Sequence, residues 1–199
     1  MRVCVLVLVA ELALGLVACK SAPPMPAPAP ATTATLRYEV LKERHPGTGR
    51  LQREWTVKVE PGKRAVQHGR ERIWFADGTL EWEREWKEGQ PHAVWMRYWP
   101  NGVARSRTEY RGADVVTMMT FWHENGAKAY EGPARNGERC GVWSGWRADG
   151  TLAERGSYED SFKTGEWAIY AADGTTEERR VVFERSVRVR TLPAAAPQH

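Results

Sequence analysis

The chain has 199 residues, 42% hydrophobic and 27% charged, with a formal charge of +4 and a sequence pI near 9.1. The charges are mixed in sign along the chain, with none of the basic blocks or stripes that a nucleic-acid-binding protein carries. Its 3 cysteines exclude a disulfide-dense scaffold.

In chain order, Met1-Arg2 is a short positive start and Val3 to Val17 is almost wholly apolar, interrupted by Glu11. A run shorter than the roughly 20 residues needed to span a bilayer reads as the hydrophobic region of a secretory signal. It stops at Leu16-Val17-Ala18-Cys19, which resembles a lipobox. The resemblance implies a signal peptide at 1–18 and lipidation of Cys19, with several acyl chains anchoring the mature protein. Lys20 stands where inner-membrane retention is associated with Asp, so the outer membrane is the expected location. Residues 20–35 are rich in Pro and Ala. Extended as polyproline II, they form a tether of about 50 Å, and the region 19–36 is assigned as anchor plus tether. Cys140 is then the one cysteine of the mature domain, read as a packed residue or an intermolecular thiol. The folded domain is placed at 37–192 and a disordered tail at 193–199.

Within that domain the sequence repeats. Gly78, Gly102, Gly126, Gly150 and Gly174 recur every 24 residues, each preceded by Asp or Asn. Four residues before each glycine stand Trp74, Tyr98, Trp122, Trp146 and Tyr170. Seven before stand Trp95, Trp143 and Trp167, with Glu71 and Met119 as departures. Nine before stand Gly69, Gly141 and Gly165, with Ala93 and Thr117 as departures, and eight after stand Trp86, Tyr110 and Tyr158, with Ala134 and Val182. Asx-Gly pairs favour turns with positive φ, the mark of tight hairpins, and aromatics suit a pleated, half-buried surface. Each unit therefore reads as strand, Asx-Gly turn, strand and a looser connection such as Lys87–Gln90. A hairpin of this size cannot bury its own apolar face, but stacked copies can. The expected fold is all-β: an elongated single sheet of stacked 24-residue hairpins. A degenerate copy with extra residues begins near Gly47, and Arg180 to Leu192 reads as capping strands.

The stretches Gly141-Val142-Trp143…Trp146…Asp149-Gly150 and Gly165-Glu166-Trp167…Tyr170…Asp173-Gly174 resemble the bacterial MORN-repeat variant of the YwqK-family antitoxin type, over about residues 47–183. The resemblance implies a hairpin array used for protein contact, scaffolding or lipid-headgroup binding, and an antitoxin-like role in some members. Copy three, with Thr117 and Met119, is either a degenerate structural unit or a surface altered for a partner.

No nucleophile elbow, phosphate loop or Cys/His pair occurs, so no enzyme, cofactor or metal site is expected. His68 and His92 share a repeat column, but zinc normally needs three or four ligands. Glu and Arg residues alternate as cross-strand pairs would. The aromatic ladder is either packed against the sheet or, where exposed, a binding platform at Trp74, Tyr98, Trp122, Trp146 and Tyr170. The expected function is a lipid-anchored, protein-binding or scaffolding module of the cell envelope, with an unknown envelope protein as partner. The alternatives are a peptidoglycan or other glycan ligand, or an antitoxin-like or immunity partner of an exported toxin.

Overall fold

The computed structural model describes residues 35–112 and 115–195. The expected signal peptide, Cys19 and the tether up to residue 34 lie outside the described residues, as does the tail beyond Ala195. The described residues form fourteen strands: β1 (Arg37–Arg44), β2 (Leu51–Val59), β3 (Val66–Trp74), β4 (Leu80–Lys87), β5 (Gln90–Tyr98), β6 (Ala104–Tyr110) and β7 (Val116–Trp122). They continue with β8 (Lys128–Arg135), β9 (Glu138–Arg139), β10 (Gly141–Trp146), β11 (Leu152–Glu159), β12 (Phe162–Tyr170), β13 (Glu177–Glu184) and β14 (Val187–Pro193). They make one open antiparallel sheet in chain order, with the two-residue β9 pairing off the path against β8. The expected single-sheet array of consecutive hairpins is what the chain builds. β14 runs on through Pro193, and the Ala195 amide donates to Glu177 Oε1 at 2.8 Å, so order extends into the region expected to be a tail.

The two ends of the hairpins differ, and their geometry reverses the expectation. At the Asx-Gly end, the Phe75 amide donates to Thr79 O and the Gly78 amide to Phe75 O, both at 2.9 Å. The same pair of bonds recurs around Gly102, Gly126 and Gly150. These are three-residue loops, a turn followed by a left-handed glycine and a bulge; the glycine φ is 96° at Gly78 and 87° at Gly150. The Asx side chain holds the loop by accepting from the amide two residues on: Asp77 Oδ1 from Thr79 at 2.8 Å, Asn101 from Val103 at 3.0 Å, Asn125 from Ala127 at 3.0 Å and Asp149 from Thr151 at 2.9 Å. The tight two-residue turns sit instead at the ends read as loose connections. Glu88-Gly89, Asn136-Gly137, Asp160-Ser161 and Arg185-Ser186 each place both central residues at positive φ, the type I′ pattern that matches strand twist.

The glycine column nine before each turn is a bulge column. Gly69, Gly141 and Gly165 have φ of 85°, 64° and 65°, and Ala93 is held at 52° despite its side chain. The register of β2–β3, β4–β5 and β11–β12 shifts there.

Strand register sorts the side chains onto two faces. On the packed face, Phe121, Trp143, Tyr158, Trp167 and Phe183 form a continuous row with ring centroids 5.1–6.2 Å apart. Trp86, Trp95 and Tyr110 form a second row at 4.7 and 4.9 Å. Trp143 and Trp167 are 0% exposed. Such contacts add about 0.5–1.5 kcal/mol per pair beyond the area they bury. Each indole lies back across the strand before it. A Cβ at Gly132 would stand 2.4 Å from the Trp143 ring, and one at Gly156 2.3 Å from the Trp167 ring. Phe183, rather than Val182, takes the last place in the row because the loop at Asp173-Gly174 is one residue longer, closing from the Ala171 amide to Thr176 O.

Two glycines of one repeat should therefore fail for different reasons. Gly150 has φ 87° with nothing within 4 Å of an added Cβ, so Gly150→Val should cost about 2 kcal/mol from backbone strain alone. Gly156→Ala should cost about 3 kcal/mol by displacing the Trp167 indole; urea unfolding of both variants checks the order. The Asp173 carboxyl is lowered from 3.8 to about 2, chiefly by the Thr176 hydroxyl and amide and then the Thr175 amide. Because the folded value lies below the unfolded one, its contribution is complete above about 3.8 and is lost as pH falls through about 2. Amide exchange at Thr175 and Thr176 should speed up across that interval. Asp173→Asn, which keeps the acceptor oxygen as Asn101 and Asn125 do, should abolish the pH dependence.

Candidate functional site

The five expected platform rings do not belong to the packed rows. Trp74, Tyr98, Trp122, Trp146 and Tyr170 each end a strand, opposite Leu80, Ala104, Lys128, Leu152 and Glu177. An odd separation of three residues from the column of Trp95, Trp143 and Trp167 puts them on the other face of the sheet. All five are half-buried. They recur on alternate strands, so successive rings are about 9.5 Å apart. The turn glycines Gly78, Gly102, Gly126, Gly150 and Gly174 follow them on the loops that end these strands.

The packed face is closed by its own cations. The Arg139 guanidinium lies 5.0, 4.8 and 5.1 Å from the Phe121, Trp143 and Tyr158 rings, and donates to Tyr158 Oη at 3.0 Å. Burial pushes the Tyr158 hydroxyl up, with Arg139 opposing. Lys163 sits 3.9 Å from the Trp167 ring and pairs with Glu154 at 2.7 Å. Arg84 lies 4.0 Å from Trp82 and 5.0 Å from Trp95. Burial lowers the Arg84 guanidinium, and the nearby Glu71 carboxylate opposes that shift. Glu71, 1% exposed, replaces the tryptophan of its column. Its carboxylate is held by Arg53 at 2.6 Å, by the Trp86 indole N–H at 2.9 Å and by Arg84 at 3.5 Å.

The open face carries further ion pairs and several exposed apolar side chains. Arg72 meets Glu83 at 3.2 Å, Lys42 meets Glu54 at 3.0 Å and Lys128 meets Glu131 at 2.8 Å. Pairs this exposed contribute little individually. Near copy three, Val116, Met118 and Val142 are 50%, 45% and 49% exposed. Met118 stands opposite Pro133, and continuing the β8–β10 register sets Val142 on the far side of the same proline. A groove of about 500 Å³ crosses β3–β5, lined by Arg70, Glu83, Glu85, His92, Val94 and Met96.

His68 and His92 do not converge. His68 packs on Tyr38 at 5.3 Å and faces Glu88 at 3.3 Å, while His92 pairs with Glu85 across β4–β5. Among the described residues no group of three or more His, Cys, Asp or Glu is placed to hold a metal. Cys140 is half-buried and free, and its carbonyl accepts from the Trp143 indole at 3.2 Å.

No protein-family model and no curated protein matches the chain.

A set of residues that sequence columns do not reveal links the repeats at the Asx-Gly end. The Trp99 indole donates to Trp122 O at 3.0 Å, His123 Nε2 contacts Trp146 O at 2.9 Å, and Arg147 donates to Tyr170 O at 2.5 Å. In the degenerate first copy, His45 Nε2 reaches Trp74 O at 3.0 Å. Each side chain thus fixes the carbonyl of a platform residue in the next copy. The residue types differ so much that only the shared position could have given the role away.

Copy three is a compensated structural unit. The indoles of Trp95, Trp143 and Trp167 donate to the carbonyl ten residues upstream, at Glu85, Pro133 and Ser157, over 2.9–3.1 Å. Met119 has no such donor, and the Thr117 hydroxyl donates instead to the equivalent Glu109 O at 2.6 Å. Thr117→Ala should therefore cost about 1–2 kcal/mol by orphaning that carbonyl. A Trp at 119 would meet the Thr108 side chain where Gly132 and Gly156 leave room, so Thr117→Gly with Met119→Trp should recover the loss only when Thr108→Gly is added, and thermal unfolding of the series checks this.

Proposed function

We propose that the protein is a lipid-anchored, non-enzymatic binding module of the cell envelope that docks another envelope protein on the open face of its sheet. The lipobox-like Leu16–Cys19 and the Pro/Ala-rich stretch after it support export, anchoring at Cys19 and a stand-off tether. The outer membrane is the proposed location.

The observation that carries the protein-docking reading is the apolar cluster of Val116, Met118 and Val142 around Pro133. Ion pairs occupy neighbouring parts of that face and Tyr38 and Val40 are exposed on its edge strand, whereas here, within the sheet, three large apolar side chains are about half exposed without paired charges between them. Exposed apolar patches of this kind, rimmed by polar residues, mark protein contact sites, and alternate positions on three neighbouring strands give a flat surface of the sort a partner can cover. The rigid loop ties at the Asx-Gly end hold the strands in register beneath it.

The test is recovery of partners from solubilised envelope proteins on the full-length chain, compared with a Met118→Asp, Val142→Asp variant. A specific protein retained by the parent should be lost from the variant while the thermal midpoint stays unchanged. Equal retention by both would remove the patch from the function.

A further inference from the structure

We propose a second ligand on the open face, separate from the protein-docking patch: an extended, acidic β-1,4-linked glycan strand lying across Trp74, Tyr98, Trp122, Trp146 and Tyr170. Three observations carry it.

The first is spacing. The rings stand on β3, β5, β7, β10 and β12, alternate strands of one continuous sheet. Two strand steps set them about 9.5 Å apart, so the row spans about 38 Å. One disaccharide of an extended β-1,4-linked chain is close in length to a single ring-to-ring step and presents the same sugar face at each repeat. A ring every second strand therefore meets every second sugar. Globular protein partners have no such periodicity to match.

The second is surface chemistry. An aromatic ring takes the C–H face of a sugar, and planar polar side chains beside it take the hydroxyls. The row inward from the rings on the same face contains Arg72, Glu83, Arg107, Glu131, Arg155 and Arg180, in register across the sheet. A shallow groove of about 310 Å³ opens beside Trp74 at the start of the row, bounded by Arg50, Leu51, Asp77 and Gly78. All five rings keep part of their surface exposed, with Lys128 5.2 Å from the Trp146 ring, whereas Trp143 and Trp167 beneath Arg139 and Lys163 are fully buried.

The third is charge. Most of the flanking charges are paired: Arg72 with Glu83, Arg107 with Glu109, Arg180 with Glu166 and Glu177, and Glu131 with Lys128. Arg155 is exposed and has no ion-pair partner among the described residues, between the platforms of Trp146 and Tyr170. That unpaired guanidinium favours a glycan bearing carboxylate substituents over a neutral one.

The experiment titrates the full-length chain in detergent with glycan strands released from peptidoglycan and with neutral chito-oligosaccharides of increasing length, read by tryptophan fluorescence and calorimetry. Affinity should rise about tenfold or more from the chito-oligosaccharide dimer to the hexamer, as successive rings engage. Trp122→Ala and Trp146→Ala should each weaken binding about tenfold, and Trp122→Tyr should restore it. Arg155→Glu, at an exposed side chain, should weaken binding of the acidic strands and leave the neutral oligomers unchanged. Length-independent affinity, no binding by the folded parent, or no effect of the ring variants would overturn the proposal. The Met118→Asp, Val142→Asp variant separates the two readings: it should bind glycan normally while losing its protein partner. Glycan binding that disappears with the apolar patch would also overturn the assignment to the rings.

Discussion

The indole that closes each repeat is the interaction on which the rest depends. Trp95, Trp143 and Trp167 lie back over the preceding strand and donate to a carbonyl ten residues upstream. A sheet with no second layer can bury large side chains only by laying them along its own backbone, and Gly132 and Gly156 clear the space for two of them. The arrangement fixes the spacing between bulge, ring and glycine, and so the length of the unit. Where the ring is missing, the hydrogen bond is kept by Thr117 in copy three, or the space is filled by the Glu71 carboxylate with two arginines and an indole in the first copy. The variation among copies is therefore variation in how one constraint is met.

Closure of the packed face determines what the open face can do. Because Arg84, Arg139 and Lys163 stack on the packed rings, the aromatic surface there is already occupied by the chain's own cations. On the other face, the loop ties from His45, Trp99, His123 and Arg147 hold Trp74, Trp122, Trp146 and Tyr170 by their backbones rather than by their rings. A ring anchored through its carbonyl keeps its position without its face being used to hold it, although Lys128 lies 5.2 Å from the Trp146 ring. One end of the sheet is thus cross-braced, and the two-residue loops at the other end carry ties of their own, with Ser161 Oγ accepting from the Arg139 amide, Ser186 Oγ from the Lys163 amide, and Glu88 meeting Lys58.

Much of the fold was legible in the sequence because the period is written in glycines. The turn column, the bulge column and the two aromatic columns all stand out without an alignment. Reading the aromatics as one ladder was the main loss: Trp143 and Trp146 are three apart, and an odd separation in a strand sends them to opposite faces. The turn types were exchanged because Asx-Gly suits two loop geometries, and the side-chain acceptor of Asp77 and its counterparts selects the three-residue one. Phe183 was displaced by one position by the longer loop at Asp173, which nothing in the neighbouring columns signals. The ties at the loop end were illegible for a different reason: an indole, an imidazole and a guanidinium do the same job, so the column has a function without a consensus.

The coincidence of sequence period and structural unit has a consequence for how such a chain changes over generations. Twenty-four residues here are one hairpin with one platform residue and, in most copies, a closing ring and a loop tie of its own. An in-frame duplication or loss of that segment leaves every neighbouring junction chemically the same, since each copy meets the next through the same carbonyls. The row of platform rings can then lengthen or shorten by whole ring-to-ring increments through slippage in the coding sequence, with no new contact having to be invented.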